Sequence, residues 1–115
     1  MQHLAWDNVK KEIIHDKLSR KFVNGERVMV AQFTLSKDCV VPLHHHESEQ
    51  ISMVMQGAMK FELEGKEVIV RGGEVLVIPS NRPHSALALE DSSVTELFSP
   101  IRYDWLNGTD SYLRK

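Results

Sequence analysis

Turn signals cut this chain into short apolar stretches, and that spacing constrains the fold more than any other feature. Asn24-Gly25 reads as a hairpin turn between Ser19–Val23 and Glu26–Leu35. Glu64-Gly65-Lys66 joins Ala58–Leu63 to Glu67–Val70, and Arg71-Gly72-Gly73 leads into Val75–Ile78. The run Pro79-Ser80-Asn81-Arg82-Pro83 is a turn that neither a helix interior nor a central strand tolerates. Asp91-Ser92-Ser93 then divides His84–Leu89 from Val94–Phe98. Short strands between turns are the profile of a β-sandwich or barrel. Helix fits only the first few residues and the stretch Tyr103–Asn107, so the expected class is all-β.

At 115 residues the chain can build one core and not two, so residues 1–115 are expected to form a single domain. A net charge of −2, with scattered Lys and Arg, argues against nucleic acid or an acidic membrane as partner. The single cysteine, Cys39, excludes an intrachain disulfide, suits a reducing cytoplasm, and is expected to serve packing. No signal peptide is visible, and the apolar runs fall far short of the ~20 residues a membrane helix needs. A soluble cytoplasmic protein is expected.

Chemistry concentrates in His44-His45-His46-Glu47-Ser48-Glu49-Gln50 and in His84. Alternate side chains of a strand share a face, so His44 and His46 should point together and His45 away, forming a chelating pair. The bland alternative is an exposed polar loop; a purification tag is excluded by the internal position. If Gln50 faces inward, Ser52, Val54 and Gln56 follow it, while Ile51, Met53 and Met55 face out and need a cover. The chain's own N-terminal segment is one cover; a back-to-back homodimer is the preferred one. From His84 the inward set continues to Ala86 and Ala88, whose small side chains leave room for a ligand. Glu96 shares a face with Val94 and Phe98, and a carboxylate inside a barrel needs a partner or a role. Arg102 is either its charge partner or a substrate clamp.

These spacings resemble the two motifs of the cupin superfamily. The first appears as His44-x-His46-x3-Gln50-x6-Gly57, spanning 44–57; the second as Gly73-x5-Pro79-x-Asn81-x2-His84-x3-Ala88, spanning 73–88. Gln50 stands where the family has Glu, Asn81 where it has the turn Gly, Ala88 where it has Asn, and no Gly opens the first motif. The resemblance implies a double-stranded β-helix, the jelly-roll barrel, with a short C-terminal helical turn. It also implies one divalent transition metal ion (Ni, Zn, Mn, Fe or Cu) on His44, His46, Gln50 and His84, since imidazole suits several such ions. Three neutral imidazoles and an amide oxygen leave the ion's charge uncancelled, which favours Lewis-acid chemistry.

The stretch Glu96-Leu97-Phe98-Ser99-Pro100-Ile101-Arg102-Tyr103-Asp104-Trp105-Leu106 is similar to the tail of the KdgF-like cupins. These open the ring of 4,5-unsaturated uronates released in pectin and alginate breakdown. The similarity implies a small sugar-acid substrate, with Arg102 holding its carboxylate, Phe98 forming a wall and Glu96 moving a proton. Glu96 occupies the position where that group usually has aspartate. Two other classes are compatible with the motifs: a cupin dioxygenase acting on a small molecule, and a non-catalytic module binding a metal or small ligand. Sensory cupins usually carry a helix-turn-helix domain, for which this length leaves no room, so an enzyme is expected.

Overall fold

The computed structural model describes residues 1–114. Its strands are β1 (Glu12–His15), β2 (Leu18–Asn24), β3 (Met29–Leu35), β4 (Val40–His44), β5 (Glu49–Gln56), β6 (Ala58–Leu63), β7 (Lys66–Arg71), β8 (Val75–Ile78), β9 (His84–Ala88) and β10 (Ser92–Ser99). They form two antiparallel sheets, ordered β1-β2-β3-β10-β5-β8 and β4-β9-β6-β7, around a shared apolar core. This is the expected jelly-roll arrangement. A 3₁₀ turn at Trp6–Asn8 precedes β1, and helix α1 (Tyr103–Leu106) follows β10. A second 3₁₀ turn, Ser111–Arg114, lies at the C-terminal end. Among the described residues no helix is long and apolar enough to cross a membrane.

Period-two patterning builds the core. On β3, Met29, Ala31, Phe33 and Leu35 are buried while the residues between them are not. The opposite sheet answers with Met59 and Phe61 from β6 and Ala86 and Ala88 from β9. Cys39 is buried here as well, and burial pushes its thiol pKa up, as befits packing rather than reactivity. At the β5–β6 corner Gly57 has φ +91°, and a Cβ there would lie 2.3 Å from Ser92 Oγ and 2.5 Å from the Asp91 carbonyl oxygen. The glycine that ends the first motif is therefore required by both backbone conformation and close approach.

Several boundaries differ from the sequence reading. Asn24-Gly25 does not make a two-residue turn. The Gly25 N–H donates to the Val28 carbonyl at 2.9 Å, so the loop takes four residues and β3 starts at Met29 instead of Glu26. Strand β10 starts at Ser92, which pairs with Leu35, and not at Val94. Gln56 does not share the inner face with Gln50. A register slip between Ser93 and Val94 twists the end of β5 outward and leaves Gln56 exposed. Strand β1 and the turn Ser111–Arg114 carried no sequence signal that was read.

The outer face of β5 is apolar, as expected. Met53 pairs with Val75 and Ile51 with Val77, and Met55, Val75 and Val77 are more than half exposed. The N-terminal segment does not cover them: Trp6 and Val9 lie instead against Val23 and Val30 of β2 and β3.

Candidate metal centre

Strand pairing assembles the site at the mouth between the sheets. On the smaller sheet His44 of β4 lies opposite His84 of β9. On the larger one Gln50 of β5 lies opposite Phe98 of β10, and Ser52 opposite Glu96. Cross-strand partners share a face, so these four side chains line the same wall. His44, His46 and His84 each offer a nitrogen within 4.8 Å of the others. His45 is exposed and takes no part.

His46 reaches the cluster by another route than strand alternation, because β4 ends at His44. Its Nδ1–H donates to the Ser48 carbonyl at 2.8 Å, which aims the ring. Its own carbonyl accepts the Asn81 N–H at 2.8 Å, tying the two motifs together. Asn81 has φ +60°, a left-handed conformation asparagine adopts more readily than most residues, so it serves where the family pattern has glycine.

The other two rings are held the same way. The Nδ1 of His44 donates to the Pro42 carbonyl and that of His84 to the Arg82 carbonyl, both at 2.7 Å. With Nδ1 carrying the proton, each Nε2 presents a lone pair to the interior. His84 Nε2 is buried without a hydrogen-bond partner among the described residues. His46 Nε2 lies 3.0 Å from Gln50 Oε1, and the Gln50 amide nitrogen is already donating to Ser52 and Glu96. A lone pair thus faces a lone pair, an arrangement that a shared cation would stabilise. The four residues fit a metal ion by their donor chemistry.

Burial drives the His44 pKa from 6.5 down to about 3, against the pull of its bond to Pro42. Burial likewise takes His46 down to about 4, helped by the charge of Arg102, and lowers His84. These imidazoles stay neutral, as metal ligands must. The metal-free protein should lose stability as pH falls. Below 6.5 the unfolded histidines take up protons that the folded ones refuse, so the loss begins there and grows toward pH ~4. At pH ~5 it should reach at most about 2 kcal/mol for each of His44 and His46. Urea unfolding of chelator-treated protein between pH ~7 and ~5 measures it; a flat profile would contradict the burial of neutral imidazoles.

Glu96 is half-buried and borders the cavity. Oε2 accepts short hydrogen bonds from Ser52 and Gln50. Burial raises its pKa, against those bonds and the charge of Arg102. Phe98 is buried with its ring edge-on to His46, centroids 5.7 Å apart. Arg102 does not pair with Glu96. Its Nε and Nη2 donate to the two carboxylate oxygens of Asp104 at 2.9 and 2.7 Å, and Nη2 also donates to the Tyr112 hydroxyl. Burial opposes its charge, but the bonds to Asp104 and Tyr112 hold it protonated. Asp104 in turn is lowered, its bonds from Arg102 outweighing burial.

The cavity measures about 40 Å³ and is bordered by His44, Gln50, His84, Glu96, Arg102 and Tyr112. A separate outer groove of about 290 Å³ runs past His46, Ile101, Arg102 and Asp104 without reaching Glu96.

The model of the cupin domain family matches residues 31–99, from β3 through β10. The chain belongs to the cupin family. This cupin is 28% identical over 103 residues to the pectin degradation protein KdgF of Dickeya dadantii (strain 3937), covering 87% of this chain and 94% of that one. It is 34% identical to the solved structure of KdgF from Halomonas sp., with a TM-score of 0.80, covering 86% of this chain and 94% of that one. An RmlC-like cupin from Shewanella frigidimarina NCIMB 400 shares the fold at a TM-score of 0.84 and 21% identity, over 91% and 96% of the two chains.

The structure brings together six of the seven residues singled out from the sequence around the cavity, and His46 closes it on the outer side. Three further residues of this cupin went unrecognised as parts of the site. Ser52 holds both Gln50 and Glu96, a task its shared strand face already hinted at. Trp105 borders the cavity without any spacing signal to mark it. Tyr112 stacks on His44 with centroids 4.5 Å apart, which only the folding-back of the C-terminal turn produces.

Proposed function

We propose that this cupin is a metal-dependent cytoplasmic enzyme of sugar-acid catabolism that promotes ring opening of 4,5-unsaturated uronates, the whole of residues 1–115 acting as one domain. The observation that carries the reading is the convergence of three inward-facing Nε2 lone pairs and the Gln50 oxygen beside the carboxyl of Glu96. The similarity to proteins named for pectin degradation supports the substrate class.

A divalent ion (Ni, Zn, Mn, Fe or Cu) held by His44, His46, Gln50 and His84 would supply Lewis acidity toward substrate oxygens. The reaction adds a proton to C4 and a water hydroxyl to C5 of the enol ether. The C5 hydroxyl then gives up its proton and the ring C5–O bond breaks with protonation of the ring oxygen, leaving a ketone at C5 and a hydrated aldehyde at C1 that loses one water to become the aldehyde. Glu96 is the group to move the proton: its Oε1 makes no hydrogen bond among the described residues, and burial favours the protonated form. Ser52 and Gln50 orient that carboxyl. Phe98 supplies an apolar wall, and Arg102 the positive charge for the substrate carboxylate.

The test is the ultraviolet absorbance of a 4,5-unsaturated monouronate, lost when the conjugated alkene is consumed. Metal-loaded protein should accelerate the decay, and chelation should abolish the acceleration. Decay at the uncatalysed rate, with metal bound and galacturonate- and mannuronate-derived substrates both tried, would sink the reading.

The exposed apolar face of β5 and β8 supports a homodimer formed back to back. Val77→Lys should then yield a monomer by sedimentation with unchanged secondary structure. A wild-type protein that sediments as a monomer rules the dimer out.

A further inference from the structure

The cavity is closed by a segment that the proposed reaction does not use. The turn Ser111–Arg114 folds back across the barrel mouth, with Leu113 buried and Tyr112 stacked on His44 at 24°. The Tyr112 hydroxyl oxygen accepts from Arg102 Nη2 at 2.6 Å. The indole Nε1 of Trp105 is buried at the same cavity and has no hydrogen-bond partner among the described residues, in a residue only 6% exposed. Tyr112 borders the same cavity, and burial raises the pKa of its hydroxyl. Arg102 thus donates to the Tyr112 oxygen, while the indole N–H of Trp105, whose ring centroid lies 5.0 Å from the Arg102 guanidinium carbon, is left unsatisfied. A buried donor without an acceptor is unfavourable, so this pair awaits a better-placed oxygen.

The remaining space makes the same point. About 40 Å³ admits a water molecule or so, whereas small-molecule sites run to roughly 300 Å³ and above. A hexuronate does not fit while Tyr112 is in place. The outer groove offers no alternative, since Glu96 does not border it. The end of the turn is lightly held: the Arg114 pairs to Glu12 and Asp110 are long, at 3.8 and 3.7 Å. Asp110 itself is fixed by a 2.7 Å bond from Arg20 and can serve as the pivot.

We propose that Arg102 and Trp105 form a two-donor subsite for a carboxylate oxygen of a small organic acid, and that Tyr112 is its resident occupant, which swings out when the acid binds. The subsite stands on its own geometry; that the acid is a uronate rests on the function proposed above.

Calorimetric titration of the metal-loaded protein with acetate and with D-galacturonate, a saturated acid that cannot react, tests this. Tyr112→Phe keeps the stacked ring and removes the competing oxygen, so it should bind both acids about five-fold more tightly or better, the worth of one hydrogen bond. Adding Trp105→Phe should erase that gain. Tighter acetate binding with no galacturonate binding to either protein would leave the subsite standing and count against the uronate reading. Acetate binding that is unchanged or weaker in Tyr112→Phe overturns the proposal. So does a gain that survives in the double variant, since the acid would then sit on the metal and not on the indole N–H. Near-ultraviolet circular dichroism of Tyr112→Phe, a conservative change, checks that the fold is intact.

Discussion

Replacing Glu96 with glutamine is expected to cut kcat by about 10²–10⁴-fold while the fold and the metal content stay unchanged. Glutamine has the same shape and still offers an oxygen to Ser52 and to the Gln50 amide, the two partners that hold Glu96 now. It cannot carry the proton. Burial already favours the neutral form of this carboxyl, so a neutral amide in its place should not lower the melting temperature. Glu96→Asp keeps the acid but withdraws it by one methylene, and should retain part of the rate. Wild-type kcat in Glu96→Gln would remove Glu96 from the chemistry and leave the metal ligands with Arg102 as the remaining candidates.

Asp110→Ala is expected to cost about 3–5 kcal/mol of folding stability. Arg20 and Asp110 are each 1% exposed and bonded at 2.7 Å, joining β2 to the C-terminal segment. Without Asp110 the guanidinium keeps Glu12 at 3.4 Å and the faces of Trp105 at 4.2 Å and Phe22 at 5.5 Å, and its Nη1 already lacks a hydrogen-bond partner among the described residues. The loss reflects a stranded buried charge and not the worth of the pair, so Arg20→Met combined with Asp110→Leu should recover most of it. Urea unfolding of the three proteins measures both effects. A loss under about 1 kcal/mol in Asp110→Ala would mean that the tail is not part of the cooperative fold, and the occlusion by Tyr112 would lose its anchor.

How far the chain could be read depended on distance along it. Strands β6 and β8 match their expected limits because Gly57, Glu64-Gly65 and Gly73 end them by local backbone requirements. The hairpin at Asn24 was recognised but its loop misjudged, since the same dipeptide serves loops of two and four residues and the register of β2 against β3 decides. His44, Gln50 and His84 were legible because ligand spacing is a local property of strand and turn. His46 was placed rightly for an incomplete reason: the Ser48 carbonyl, not strand alternation, aims it.

The amino-acid pattern by itself determined an all-β cupin barrel, the faces of its strands up to the bulge that turns Gln56 outward, and which histidines and which glutamine would meet. Those follow from period-two alternation and turn chemistry, which act over a few residues. Only the tertiary structure decided what surrounds them. Arg20 meets Asp110 across 90 residues, Ser52 meets Glu96 across 44, and Tyr112 covers His44. Asp104, and not Glu96 or a substrate, holds the fork of Arg102. Such contacts depend on where the closed barrel brings its ends together, and no local propensity encodes that.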